Sequence, residues 1–309
     1  MTTAEVRKSA ILTPEDLGDP FFKVRRALGD TAARIYEVIG FIPHDPQLTI
    51  LAHPANIKLV TGGIQGGKTQ LASPIFILNY YLDLVKNPPY EREEREYWVI
   101  GHRLEDCAYE WSALREDLKK VGLYGYEKND PTPIFYLNDE WNTTIKMKFA
   151  ADPSKLSGVS PLGEICCEVA NFSLAAFNQV MGRTIGKDAW VYMSGTFEED
   201  TAPWFPAKVL EWAPYDRETD AKSFALPSYA NLTLFPNGKD DIRFKKLEAR
   251  VTDDKYRMER IEGVPAPPRG LVYPEFDLNV HVMTSYTFEP KQPVYILSLI
   301  HISEPTRPY

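Results

Sequence analysis

The chain has 309 residues, of which 44% are hydrophobic, enough for one large core or two smaller ones, and this excludes a disordered chain. A formal net charge of -8 and a sequence pI of about 5.3 give no bulk attraction to nucleic acid, so any DNA contact has to come from a local basic patch. Cys107, Cys166 and Cys167, the last two adjacent in an apolar run, suit neither a disulfide framework nor a paired metal site and fit a reducing compartment.

The N-terminus lacks the basic start and apolar core of a secretory signal. Residues 1 to about 45 read as a helical lead-in, with Thr13-Pro14-Glu15 as a cap. The most apolar segment, LASPIFILNYYLDLV (71–85), is broken by Pro74, Asn79 and Asp83 before it reaches membrane-spanning length. A soluble intracellular protein without a membrane partner is expected.

From Asn56 to about Ser194, short apolar runs alternate with amphipathic stretches. IKLVT (57–61), YWVIG (97–101), GEICCE (163–168) and AWVYMS (189–194) read as strands. EDCAYEWSALREDLKKV (105–121) and SLAAFNQVMG (173–182) read as helices. That rhythm predicts an α/β fold, a mostly parallel sheet flanked by helices. EREEREY (91–97) reads as a solvated turn before the second strand, and GVPAPPRG (263–270) as a linker before a new stretch, LVYPEFD. There is no internal repeat. The last thirteen residues, LSLIHISEPTRPY, resemble from Leu297 to Arg307 the translation of a transposase sequencing-library adapter, so residues 297–309 are set aside as an artefact.

Gly62, Gly63, Ile64, Gln65, Gly66, Gly67, Lys68 and Thr69 satisfy G-x-x-x-x-G-K-[ST] between a predicted strand and a predicted helix. Glycines let backbone N–H groups curl around phosphates, and the helix start adds its positive dipole end. The motif predicts an ATP site, with Lys68 on the β and γ phosphates and the Thr69 hydroxyl on Mg²⁺. Pro74 falls inside the predicted helix, where a kink is expected. Upstream, Gln47 has an amide able to pair with adenine N6 and N7, or it is a solvated loop residue.

Downstream, a P-loop NTPase needs an acidic strand end to serve Mg²⁺ and activate water. GEICCEVANF is the candidate, with Cys167 where a metal-side Asp would stand and Glu168 where the base would stand. Either Glu168 is the general base and the metal is held by Thr69, phosphates and water, or Glu168 serves the metal and hydrolysis lacks its base. The first reading is preferred, because a buried strand-end Glu is costly without such a task. Ser194, Gly195 and Thr196, at the end of the next strand, are placed to sense the γ-phosphate and couple its loss to movement.

In this order the motifs PHDPQ, GGIQGGKT, SKLSGVSPLGEICCEVANF, MGRT, YMSGTFEEDTAPWF, ALPSYANLTLFPNG and GLVYPEFDLNVHV resemble the large terminase subunit of tailed bacteriophages. The resemblance spans about residues 43 to 282. It implies an ATP-driven motor in the host cytoplasm that packages double-stranded DNA, working with the portal protein and the small terminase subunit as a homo-oligomeric ring on the portal. It implies a P-loop ATPase domain over 46–262, the linker 263–270, and over 271–296 the start of a ribonuclease-H-like nuclease domain cut short before any catalytic acid, so no nuclease activity is expected. It also implies an arginine that stabilises the transferred phosphate, for which Arg183 and Arg103 are the candidates. Two rivals stand beside it: a helicase-like DNA translocase, and a nucleotide-binding structural protein whose hydrolysis is impaired at Cys167.

Overall fold

The computed structural model describes residues 19–86, 95–129, 131–185, 189–199 and 201–267. The predicted cap at Thr13-Pro14-Glu15, the new stretch after the linker and the tail 297–309 lie outside the described residues. The chain divides between Ala266 and Pro267, and the helices and strands of the described residues all lie in the first unit.

Three helices lead in: α1 (Phe22–Leu28), α2 (Asp30–Ile39) and α3 (Asp45–Ala52). Then β1 (Ile57–Gly62) enters the sheet, followed by α4 (Ala72–Lys86), β2 (Glu96–Gly101), α5 (Leu104–Lys120), β3 (Tyr124–Lys128), β4 (Ile134–Leu137) and β5 (Thr144–Phe149). The chain continues through β6 (Gly163–Cys166), α6 (Leu174–Thr184), β7 (Trp190–Gly195), α7 (Trp204–Glu211), β8 (Ala221–Leu226) and α8 (Ile242–Glu248). The eight strands lie in the order β3-β4-β5-β2-β6-β7-β1-β8. From β5 to β8 every neighbouring pair is parallel, and β3 and β4 extend one edge antiparallel. This is the expected α/β architecture.

Alternation along the inner strands assigns each residue to a face. Val60, Val99, Ile165 and Tyr192 pack under the lead-in helices, α4 and α5. Their neighbours Leu59, Trp98, Cys166 and Met193 pack on the other face with Phe177 and Val180 of α6 and Phe205 and Val209 of α7. Because both faces are covered, these strands read as continuous apolar runs. β5 is an edge-side exception, alternating buried Ile145 and Met147 with partly exposed Lys146 and Lys148.

Three expectations change in detail. The solvated turn EREEREY is partly a core segment: Arg95, Glu96 and Tyr97 are buried, and Glu96 pairs with Lys146 and accepts from the Trp98 indole. A charged run can enter a strand when its carboxylate is partnered. At Pro74, the helix opens as a 3-10 turn over Thr69–Leu71 before α4 begins at Ala72, so the proline falls in the first α-helical turn, where its missing N–H leaves no bond unmade. Gly263, assigned to the linker, is packed on the phosphate loop: a Cβ there would lie 2.7 Å from Gly62 Cα, and the Thr61 hydroxyl donates to its carbonyl.

Candidate functional site

A run of parallel strands sends all its carboxyl ends to one edge. There the turn after β1 (Gly62–Thr69), Gly101–Arg103, Cys167–Glu168, Gly195–Thr196 and the Pro227–Asn231 segment gather.

The turn after β1 is held from several sides. Gly63 N–H donates to Leu226 O at 2.9 Å and Ile64 N–H to Arg260 O at 2.7 Å. Carbonyls of the turn accept from Asn231 Nδ2 (on Gln65, 2.7 Å), Gln47 Nε2 (on Gly67, 3.0 Å) and the Tyr192 hydroxyl (on Lys68, 2.7 Å). Fixing these carbonyls outward leaves the backbone N–H groups at the helix start as the free donors of the turn. Two glycines are required here. Gly67 has φ +94°, and a Cβ on Gly63 would lie 2.2 Å from Ile261 O.

The turn borders an open cleft of about 860 Å³ lined by Gln65 to Gln70, Glu105, Asp106, Tyr109, Glu110, Glu168, Asn171, Glu198, Asn231, Thr233 and Leu234. Lys68 is 8% exposed, and the hydrogen bond of its ammonium is a long one, 3.4 Å to Gly62 O. Burial lowers its pKa, opposed by Glu168, while Arg260 lowers it further. An ammonium with three donors and one weak acceptor has capacity left for an anion.

Glu168, two residues past the end of β6, has φ +47° and ψ +49°, a conformation that costs a non-glycine residue roughly 1–2 kcal/mol. The turn swings its carboxylate into the cleft opposite Lys68. Burial raises its pKa, Lys68 pulls it back, Glu198 raises it, and a hydrogen bond from Thr196 lowers it. Cys167 beside it is fully buried, and burial holds its thiol well above the ordinary range.

Of the residues singled out in the sequence, Gly62 to Thr69, Glu168 and Thr196 converge. Ser194 is buried with its hydroxyl on Cys166 O at 3.5 Å, and Gly195 packs on Phe205; both support the strand end beneath the cleft. Gln47 is 1% exposed, with Nε2 on Gly67 O and Oε1 accepting from His44 N–H. In this conformation it presents no edge to an adenine and braces the loop. Arg103 is exposed on the same sheet edge, just before α5, outside the cleft lining. Arg183 ends α6, the helix that leads into β7, and therefore sits at the opposite edge, where its charge acts on the buried Glu164. Neither arginine reaches the cleft within this chain.

Sequence reasoning missed Glu110, Asn231 and Arg260. Asn231 stands inside the motif ALPSYANLTLFPNG, which assigned it no role. Arg260 lies in RMERIE (257–262), a π-helical turn, and binds Phe197 O at 3.1 Å and Glu198 at 2.7 Å. Glu110 had no local signal, because only the adjacency of β2 and β6 brings α5 over the cleft.

Glu105, Asp106, Glu110, Glu168 and Glu198 face the cleft, with Lys68 the lone cation among the described lining residues. A bare nucleotide triphosphate would be repelled, whereas a nucleotide carrying a divalent cation would not. Among the described residues no group of three His, Cys, Asp or Glu forms a protein-only cage. The charges of the lining fit a nucleotide that carries a divalent cation better than a bare one. Among the described residues no helix is long and apolar enough to cross a membrane.

No known sequence family matches the chain, and no curated protein matches it. Solved structures do. The ATPase domain of the Thermus phage P74-26 large terminase, in a mutant form, is 17% identical with a TM-score of 0.57, covering 75% of this chain and 98% of that one. The large terminase of a thermophilic bacteriophage in complex with ATP-γ-S is 18% identical with a TM-score of 0.53, over 77% of this chain and 56% of that one. The HK97 bacteriophage large terminase is 12% identical with a TM-score of 0.52, over 75% and 54%. At these identities the likeness is one of fold: the chain has the fold of large terminase ATPase domains, and spans little more than half of the two longer terminases.

Proposed function

We propose that the chain is the ATP-hydrolysing motor of viral double-stranded DNA packaging, the ATPase part of a terminase large subunit. The observation that carries this is Lys68 facing Glu168 across the cleft, a half-satisfied buried ammonium against a carboxylate held in a left-handed turn. The terminase-like fold, and a neighbour of that fold holding ATP-γ-S, support the reading.

In this reading the turn's N–H groups and Lys68 hold the β and γ phosphates, and Thr69 holds Mg²⁺, which when bound offsets phosphate charge. Glu168 orients and deprotonates the attacking water. Thr196, bonded to Glu168, registers the γ-phosphate at the end of β7, and Ser194 and Gly195 give that end a rigid base. Of the two arginines, Arg103, exposed just before α5, is the one we assign to a neighbouring subunit's nucleotide, in preference to Arg183, whose charge acts on Glu164. The domain limits 46–262, 263–270 and 271–296, the DNA, portal and small-subunit partners, the ring on the portal and the host cytoplasm belong to the same proposal.

Lys68→Ala is expected to abolish DNA-stimulated ATP turnover, and unchanged turnover refutes the assignment. Purified chain is expected to leave a plasmid uncut with Mg²⁺ or Mn²⁺; robust cutting overturns that expectation. Cys167 favours a second reading, a nucleotide-binding structural protein. Tight Mg-ATP binding without turnover in the presence of DNA and portal selects it.

A further inference from the structure

The strand end that meets the nucleotide carries one carboxylate, Glu168, where Mg²⁺ chemistry in phosphate-loop enzymes uses an acidic ligand as well as a group for the water. The preceding residue is Cys167, fully buried and held as a neutral thiol, which has no charge to offer a hard cation.

A second carboxylate nevertheless reaches this place from another element. Glu110 stands six residues into α5, about 9 Å along the helix, and α5 follows β2, the strand paired with β6. Its side chain lines the cleft with Lys68, Thr69 and Glu168. It is 4% exposed, and its carboxylate meets its own backbone N–H, with no other hydrogen bond or salt bridge among the described residues. Of the charged groups around Cys167, Glu110 acts on that thiol most strongly. A carboxylate left this poorly partnered in so buried a position is costly unless something binds it.

We propose that Glu110 supplies the second carboxylate of the cation site, filling in space the role that Cys167 leaves vacant in sequence. The inference rests on the proposed nucleotide site. Glu110 orients water on the cation or binds it directly, from α5 and not from the strand end. Glu168 is thereby left free for the attacking water, which resolves the competition between its two roles.

The test uses the full chain with ATP-γ-S and Mn²⁺ as a paramagnetic probe of the cation site. Glu110→Gln is expected to weaken Mn²⁺ in the ternary complex at least tenfold while leaving ATP-γ-S binding in EDTA undiminished. Glu110→Asp, which keeps the charge, is expected to retain most of the Mn²⁺ affinity. Glu110→Gln combined with Cys167→Asp is expected to recover it, because the charge returns at the strand end. A Glu110→Gln change in Mn²⁺ affinity below twofold overturns the proposal. So does a Glu110→Asp loss as large as that of Glu110→Gln, which marks a packing role, or a folded double variant no better than the single one. If the unsubstituted chain binds no ATP-γ-S with or without metal, the nucleotide reading itself fails and takes this inference with it.

Discussion

Gln47 donates its amide N–H to the Gly67 carbonyl at 3.0 Å, joining the first turn of α3 to the phosphate turn. Its other end accepts from His44 N–H at 3.1 Å, closing a capping box on the same helix. Gln47→Ala therefore removes a brace and not a base-reading contact. ATP affinity is expected to fall about tenfold, the equivalent of one hydrogen bond of about 1.4 kcal/mol, with the ratio of ATP to GTP affinity unchanged. Equilibrium binding of both nucleotides checks this. Collapse of the ratio returns Gln47 to adenine recognition.

Glu168 occupies φ +47°, which glycine adopts freely and other residues adopt at a cost. Glu168→Gly and Glu168→Ala both remove the carboxylate, and both are expected to lower turnover by about 10²-fold or more. They should differ in stability: the glycine variant is expected to unfold about 1 kcal/mol later than the alanine variant. Denaturant titration of the pair decides it, and equal midpoints mean that no strain is held at that turn.

The phosphate turn was legible because its chemistry is local: glycine positions, Lys68 and Thr69 are fixed by spacing alone. β1, β2, β6 and β7 were legible because strands buried on both faces leave unbroken apolar runs. β5 went unnamed although Thr144–Phe149 alternates, and β3 and β4 are short, half-exposed edge strands. β8, in AKSFAL, carries small residues that a central apolar pattern does not pick out. Glu96 was misread as solvated because its partner Lys146 comes from the pairing of β2 with β5, which sequence order hides; Arg95, bonded to the nearby Tyr97 hydroxyl, is buried with it. Glu110, which lines the cleft, and Arg260, which binds the lining residue Glu198, share that difficulty: each is brought there by topology, with no motif of its own.

Glu164 is 0% exposed, and neither carboxylate oxygen has a hydrogen-bond partner among the described residues. Burial pushes its pKa up to about 8, with Arg183 pulling the other way. The folded chain thus holds this proton more tightly than the unfolded chain, so its contribution is complete below the ordinary carboxyl range and is lost as pH rises through about 8. Glu164→Gln, an uncharged isostere, is expected to raise stability at pH 9 by on the order of 2 kcal/mol, seen as a higher melting temperature, and to change it little at pH 5. Thermal unfolding at the two pH values checks the sign. A variant less stable at pH 9 shows that attraction to the charge of Arg183 outweighs the cost of burial.

Gly63 lets the phosphate turn and the π-helical turn Arg257–Glu262 touch backbone to backbone. A Cβ there would lie 2.2 Å from Ile261 O and 2.5 Å from Ser228 Oγ, and the neighbouring Ile64 N–H donates to Arg260 O at 2.7 Å. Since Ile261 O is backbone, it has no rotamer by which to yield, and the two turns have to separate. Gly63→Ala is expected to cost about 1–3 kcal/mol and to free the segment from Arg257 to Gly263, including the Arg260–Glu198 ion pair. Limited proteolysis should then cut after Arg257 or Arg260 in the variant before it cuts the parent chain. Unaltered cleavage together with unaltered stability means that the turn accommodates a methyl group, and that the close approach at Gly63 does not hold the two segments together.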